Sequence, residues 1–213
     1  SARPHGAGMT RGERVIAFIH RYCMVPEGDL RGKPMRLMQF QQDFIRAIYD
    51  NPDGTKRAYL SIGRKNGKSA LIAAIALAHI VGPEAKRNAQ IVCGARSQKQ
   101  AGIIFKLAQK MILMNPELRG KAQLTPSTKE IRGLALNVEF SAISAEAATA
   151  HGLSPAVVIL DEVGQVKGET DDFTEAVETA QGAYSDALLI AISTQAATEN
   201  DLFSRWLDDA ESS

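Results

Sequence analysis

The 213-residue chain carries 25 Lys and Arg against 24 Asp and Glu, and 45% of its residues are hydrophobic. That is enough apolar material for one sizeable core, and it excludes a disulfide-stapled miniprotein or a disordered tail. The formal net charge of +1 excludes a polycation that holds nucleic acid by bulk charge alone, yet residues 54–133 carry 15 basic and 3 acidic side chains while residues 134–213 carry 2 and 15.

The elements run in a simple order. Helical spacing occupies 11–23 and 39–49, and an apolar strand follows at 59–62 with a helix at 68–81. A strand at 90–93 and a helix at 98–114 come next, then strands at 136–140 and 157–160. A helix at 173–181, a strand at 188–192 and a helix at 201–210 complete the chain. Near-continuous apolar strands between helices predict an α/β fold with a mainly parallel central sheet and helices on both faces. Segment 136–140 alternates more than the others and follows the turn-rich Thr125-Pro126-Ser127, which suits an edge or a hairpin. Residues 1–8 precede Met9 and read as an expression scar, leaving 9–213 as a single domain.

Cys23 and Cys93 are far apart, and the four histidines form no cluster, so a zinc site is not expected. Cys93 lies in an apolar run and reads as a buried reduced thiol, which fits a reducing compartment. The most apolar stretch, 70–81, is far short of the roughly 20 residues a membrane span needs.

The segment most informative about chemistry is Tyr59-Leu60-Ser61-Ile62-Gly63-Arg64-Lys65-Asn66-Gly67-Lys68-Ser69-Ala70, a strand passing through a glycine-containing loop into a helix. Main-chain N–H groups at such a helix start converge on phosphate oxygens, a lysine reaches the β- and γ-phosphates, and a hydroxyl holds Mg²⁺. Gly67, Lys68 and Ser69 supply these parts, although the first glycine, Gly63, comes one residue later than in the usual spacing. The strand Ala156-Val157-Val158-Ile159-Leu160 ends in Asp161-Glu162: the first acid is placed to hold Mg²⁺ through water, the second to polarise an attacking water. The interval between the two segments has room for an inserted strand, as in additional-strand ATPases with a catalytic glutamate. A third strand closes on Ser193-Thr194-Gln195, where hydroxyls would face a γ-phosphate and sense hydrolysis. Among Gln39, Gln41 and Gln42 at the start of the helix at 39–49, one glutamine could read an adenine edge, or face solvent.

Taken together, Phe40-Gln41, Gly63-Arg64-Lys65-Asn66-Gly67-Lys68-Ser69, Leu160-Asp161-Glu162 and Ile192-Ser193-Thr194-Gln195 resemble the ATPase domain of the large terminase subunit, the DNA-packaging motor of tailed double-stranded DNA phages. That family commonly lacks the first glycine and has an early arginine in its phosphate loop, which suits Ile62 and Arg64. The resemblance implies a P-loop NTPase fold of the additional-strand catalytic-glutamate type. It assigns Lys68, Arg64 and Glu162 to catalysis and Gln41 to adenine. It also assigns Gly63, Arg64, Lys65, Asn66, Gly67, Lys68 and Ser69 to the phosphates, Ser69 and Asp161 to Mg²⁺, and Ser193 and Thr194 to coupling.

The resemblance further implies ATP and Mg²⁺ as cofactors and a homo-oligomeric ring on a portal protein. It implies double-stranded DNA and a small terminase subunit as partners, and work in the host cytoplasm on a procapsid. The isolated domain is expected to be a monomer or weak oligomer with low basal activity. Arg132, Arg119 and Arg96 are candidates for an arginine supplied to a neighbouring subunit, and Lys121, Lys129 and Arg132 for DNA phosphates. The nuclease domain of full-length members is expected to be absent. The acidic run from Asp171 to Glu178 reads as a solvated helix start rather than a metal site. Two other readings stay open: a helicase-like motor with the same core, and a nucleotide-binding assembly module with vestigial hydrolysis.

Overall fold

The computed structural model describes residues 8–61, 67–95, 97–144, 155–161 and 186–193. Two helices come first: α1 (Arg11–Tyr22) and α2 (Gln39–Tyr49). Then follow β1 (Arg57–Ser61), α3 (Lys68–Ile80), β2 (Gln90–Ala95), α4 (Gln98–Met114) and the short α5 (Pro116–Arg119). β3 (Ala122–Thr125), β4 (Glu130–Gly133), β5 (Val138–Ser144), β6 (Val157–Asp161) and β7 (Leu188–Ser193) complete the described elements. The helices expected at 173–181 and 201–210 lie outside the described residues.

The helix starts are written locally. Thr10 accepts a hydrogen bond from the Glu13 N–H while Glu13 accepts from the Thr10 N–H, a reciprocal cap that fixes the first turn of α1. Ser97 caps α4 through the Gln100 N–H. Leu71 through Ile80 are all buried, so α3 is a central helix, apolar all round, and not an amphipathic surface one.

The seven strands form one sheet in the order β1-β7-β6-β2-β5-β4-β3, parallel from β1 through β5 and antiparallel at β4 and β3. Of the two placements the sequence leaves for β5, an edge or a hairpin, the structure takes the hairpin: β5 pairs antiparallel with β4 and lies inside the sheet, parallel to β2. The edge is β3, and neither β3 nor β4 is read from the sequence. Each has four residues, and in β4 only Ile131 and Gly133 are buried. Nor does the strand standing between β1 and β6 come from the interval between them; it is β7, which follows both in sequence.

Helices α3 and α4 pack on one another and on the sheet, and α1 rests on α2 and α3. Gly133 permits the closest of these contacts, since a Cβ there would come within 2.2 Å of the Ile80 carbonyl oxygen at the end of α3. The core between them includes Ile72, Ile75, Ile91, Ile104, Met111 and Phe140, each at most 1% exposed. Both cysteines are buried and free, and burial pushes the Cys23 thiol up to about 12 and that of Cys93 higher still. No helix among the described residues is long and apolar enough to cross a membrane.

Candidate functional site

Parallel strands point their carboxyl ends to one side of the sheet, so side chains from distant parts of the chain meet there. In register, Ser61 at the end of β1 is beside Ser193 of β7, and Asp161 at the end of β6 is beside Ile192. The helix that leaves the loop after β1 starts at Gly67, whose φ of 71° is in the left-handed region that favours glycine. That conformation turns the chain into α3 and puts Lys68 and Ser69 in its first turn.

Lys68 Nζ lies 3.1 Å from Asp161 Oδ1, and both side chains are largely buried, at 10% and 7% exposure. Burial raises the Asp161 carboxyl above its ordinary value, and the neighbouring Lys68 charge only partly offsets it. Asp161 Oδ1 is buried, and Lys68 is the partner it meets among the described residues. A buried carboxylate oxygen at a strand end, and a serine hydroxyl in the first turn of α3 next along the chain from Lys68, are hard-oxygen donors that suit Mg²⁺, so the residues present fit the metal the sequence implies. Among the described residues no cluster of three His, Cys, Asp or Glu side chains forms an all-protein metal cage.

Gln41 is where the sequence places it, beside the loop, but it is already engaged. Its Oε1 accepts the Met38 N–H at 2.9 Å, capping α2, and the side chain is 6% exposed. Its Nε2 faces Gly67, 3.9 Å from where a Cβ would stand. In this arrangement the Nε2 donor is turned toward the loop while Oε1 already accepts one hydrogen bond. Gln42 donates to the Leu37 carbonyl and Gln39 to Asp43, so neither is the freer choice.

Gly63, Arg64, Lys65, Asn66, Arg96, Glu162 and Thr194 lie outside the described residues. The remaining basic candidates are dispersed. Lys129, half-buried with φ of 55°, ends the β3–β4 turn, and its carbonyl accepts from Ala142 toward the carboxyl side of the sheet. Its aliphatic stem covers Gly102 of α4. Arg132 is exposed on β4, donates to Gln123 and stands opposite Glu139 in the ladder. Arg119 is exposed on α5, and Lys121 begins the run into β3 with its ammonium over the Tyr22 ring. The two charge blocks of the sequence therefore interleave in space: Lys68 meets Asp161, Lys86 meets Asp186, and Arg132 faces Glu139.

A cavity of about 480 Å³ opens at the opposite, amino ends of the strands, between Ile48, His79, Ala89, Ala156 and Leu188. Its charges neutralise one another: Arg11 pairs with Glu84, and Lys86 with Asp186. Tyr49 Oη and His79 Nε2 share a buried hydrogen bond of 2.6 Å, with the imidazole held neutral by burial. Nothing there calls for an anionic nucleotide.

Comparison with known proteins matches residues 40–211 to the family described as "Terminase large subunit, ATPase domain". The large terminase subunit of Enterobacteria phage HK97 is 62% identical over 202 residues, which are 95% of this chain and 40% of that protein. The crystal structure of the HK97 large terminase superposes with a TM-score of 0.90 at 60% identity, covering 96% of this chain and 42% of that one. The Thermus phage P74-26 large terminase ATPase domain matches at a TM-score of 0.60 and 22% identity, over 82% of this chain and 70% of that one. The UvsW helicase of bacteriophage T4 matches at 0.59 and 10% identity, over 91% and 63%. The last two are likenesses of fold alone.

Proposed function

Because the chain belongs to the family of terminase large-subunit ATPase domains, we propose that it binds ATP with Mg²⁺ and hydrolyses it to drive double-stranded DNA into a procapsid through the portal. The observation that carries the reading is the Lys68–Asp161 contact of 3.1 Å at the carboxyl ends of the strands. It joins a helix-start lysine to a strand-end acid across the sheet, as a phosphate loop and a metal-holding acid require.

In the nucleotide-free chain Lys68 and Asp161 serve as each other's counter-ions. On binding, the Lys68 ammonium turns to the β- and γ-phosphate oxygens, where it neutralises charge that develops in the transition state. Ser69 and Asp161 hold the metal, which supplies further neutralisation of the phosphates. Gly63, Arg64, Lys65, Asn66 and Gly67 cradle the phosphates, with Arg64 adding positive charge. Glu162 orients the attacking water, and Ser193 and Thr194 respond to loss of the γ-phosphate. Gln41 contributes its Nε2 donor to the base.

The domain works in a homo-oligomeric ring docked on the procapsid in the host cytoplasm, with the portal and small terminase subunit as neighbours. One of Arg132, Arg119 and Arg96 completes the next subunit's site. Lys121, Lys129 and Arg132 are the candidates for contact with DNA phosphates. The family match and the 62% identical relative favour packaging over strand separation.

Phosphate release from Mg-ATP tests the assignment. The parent chain should turn over ATP above the buffer background, and Lys68→Ala and Glu162→Gln should each lose at least about a hundredfold, the range for removing one charge-stabilising or general-base group. Variants that hydrolyse like the parent would overturn the catalytic roles.

A further inference from the structure

The junction of α1, the strap at 24–36, α5 and the start of β3 carries a concentration of positive charge that the nucleotide site does not use. Segments 21–36 and 115–121 contain six basic residues, Arg21, Arg31, Lys33, Arg36, Arg119 and Lys121, against three acidic ones, Glu27, Asp29 and Glu117. All six basic residues are exposed. Among the described residues none of the six has a carboxylate within ion-pair distance, and Glu27 is taken by Lys110.

The patch is built, not scattered. The Asn115 side chain donates to the Tyr22 carbonyl at 3.0 Å, which docks the start of α5 on the end of α1. The strap folds back on the same point, with Met24 bridged to Pro34 and the Met35 N–H donating to the Cys23 carbonyl. At the centre the half-buried Tyr22 ring carries two cations: the Arg21 guanidinium and the Lys121 ammonium, each 5.0 Å from its centroid. The two charges are thus at most about 10 Å apart, roughly one Debye length at 0.1 M salt. Each gains from the ring and repels the other. Such an arrangement is relieved by an external anion that spans both, and a nucleic-acid backbone is a dense line of such anions.

We infer that the surface centred on Tyr22, with Arg21 and Lys121 over its ring and the exposed Lys33 and Arg119 on the adjoining strap and α5, is a contact for the phosphate backbone of double-stranded DNA. This rests on the motor reading above for the presence of DNA, and it goes beyond that reading in assigning the surface. Of the three basic residues that the sequence suggests for DNA, it keeps Lys121 for a reason the sequence does not contain, the shared ring of Tyr22. Arg132, opposite Glu139 and near Glu130, is in more neutral surroundings. The contact carries no base readout, as suits a protein that must move along any sequence.

The test is fluorescence-anisotropy binding of a labelled duplex to the 213-residue chain across a salt series. The double variant Arg21→Gln/Lys121→Gln should flatten the slope of log K against log salt by about 1.8, near 0.9 for each phosphate that the protein no longer neutralises. Its Kd at 0.1 M salt should rise about tenfold or more, again by counter-ion release. Tyr22→Phe should bind like the parent and Tyr22→Leu several-fold more weakly, since the ring places the cations. Arg21→Lys/Lys121→Arg should restore the slope, and the glutamine variant should keep the parent's circular dichroism spectrum and urea midpoint, so that its flatter slope reports lost charge and not lost folding. Arg87→Gln/Lys106→Gln removes the same charge from exposed sites elsewhere and should leave the slope near that of the parent.

An unchanged slope in Arg21→Gln/Lys121→Gln, or an equal loss in the Arg87/Lys106 control, would overturn the inference. So would displacement of the duplex by polyglutamate at equal charge, which would assign the patch to an acidic protein. ATP turnover of the parent is measured separately, so failure of the motor reading would show there while the duplex slopes still report on the patch.

Discussion

Lys68→Met removes the charge beside Asp161 and keeps most of the side-chain volume. At the observed 3.1 Å and an effective dielectric constant of about 20, the gross attraction of the pair is about 5 kcal/mol. Breaking a buried pair from one side costs about 3–5 kcal/mol when the remaining charge has no other partner. For a chain of this size that is a fall in Tm of about 6–20 °C.

The pH dependence is the sharper signature. Burial already raises the Asp161 carboxyl above 3.8, and Lys68 holds it down. A raised carboxyl contributes most stability when protonated, so its stability falls as pH rises through the unfolded value of about 4 and levels off above the folded one. Without Lys68 the folded value rises further and the decline extends to higher pH. The difference between parent and Lys68→Met should be small near pH 4 and reach its full size at pH 7–8. Adding Asp161→Asn should recover most of the loss. Urea titrations followed by circular dichroism at several pH values, without nucleotide, measure all three. A Lys68→Met variant as stable as the parent at pH 7.5, or one whose deficit does not change with pH, would refute the buried-pair argument.

His79 is held neutral by burial, with its ionisation lowered to about 4. A lowered imidazole gives stability that is present above 6.5 and lost as pH falls toward 4, about 3 kcal/mol in all. His79→Phe should flatten that part of the stability curve, and Tyr49→Phe should cost about 1–3 kcal/mol by leaving the buried nitrogen without its partner. Gly133→Ala places a methyl group 2.2 Å from the Ile80 carbonyl oxygen, so backbone must move. It should destabilise by about 1–3 kcal/mol or more in a urea titration, the range for overpacking.

Much of the site was legible in the sequence because its parts sit at strand and helix ends that composition marks. Lys68 opens a helix after a glycine that must take positive φ, and Asp161 ends an unbroken apolar strand. The helix starts at Thr10 and Ser97 are local side-chain chemistry, and residue type alone foretells them. β3 and β4 were not legible, because four residues that alternate faces carry little apolar signal until β5 offers them an edge. Gln41 carries a detail the sequence does not contain: its Oε1 accepts the Met38 N–H.

The 45% hydrophobic residues are enough for a sizeable core, and the order of apolar runs determined that the sheet would be largely parallel. Those properties are local, set by periodicity and by which residues tolerate a cap or a turn. Only the tertiary structure decided which charges meet. The charge blocks along the sequence do not say which side chains meet; the strand order brings Lys68 to Asp161 and Lys86 to Asp186. Among the described residues, the cation pair over Tyr22 has no carboxylate within ion-pair distance, and its place is set by the docking of α5 against α1. Coulomb energy depends on distance in space, and the sheet sets that distance with little regard to separation along the chain.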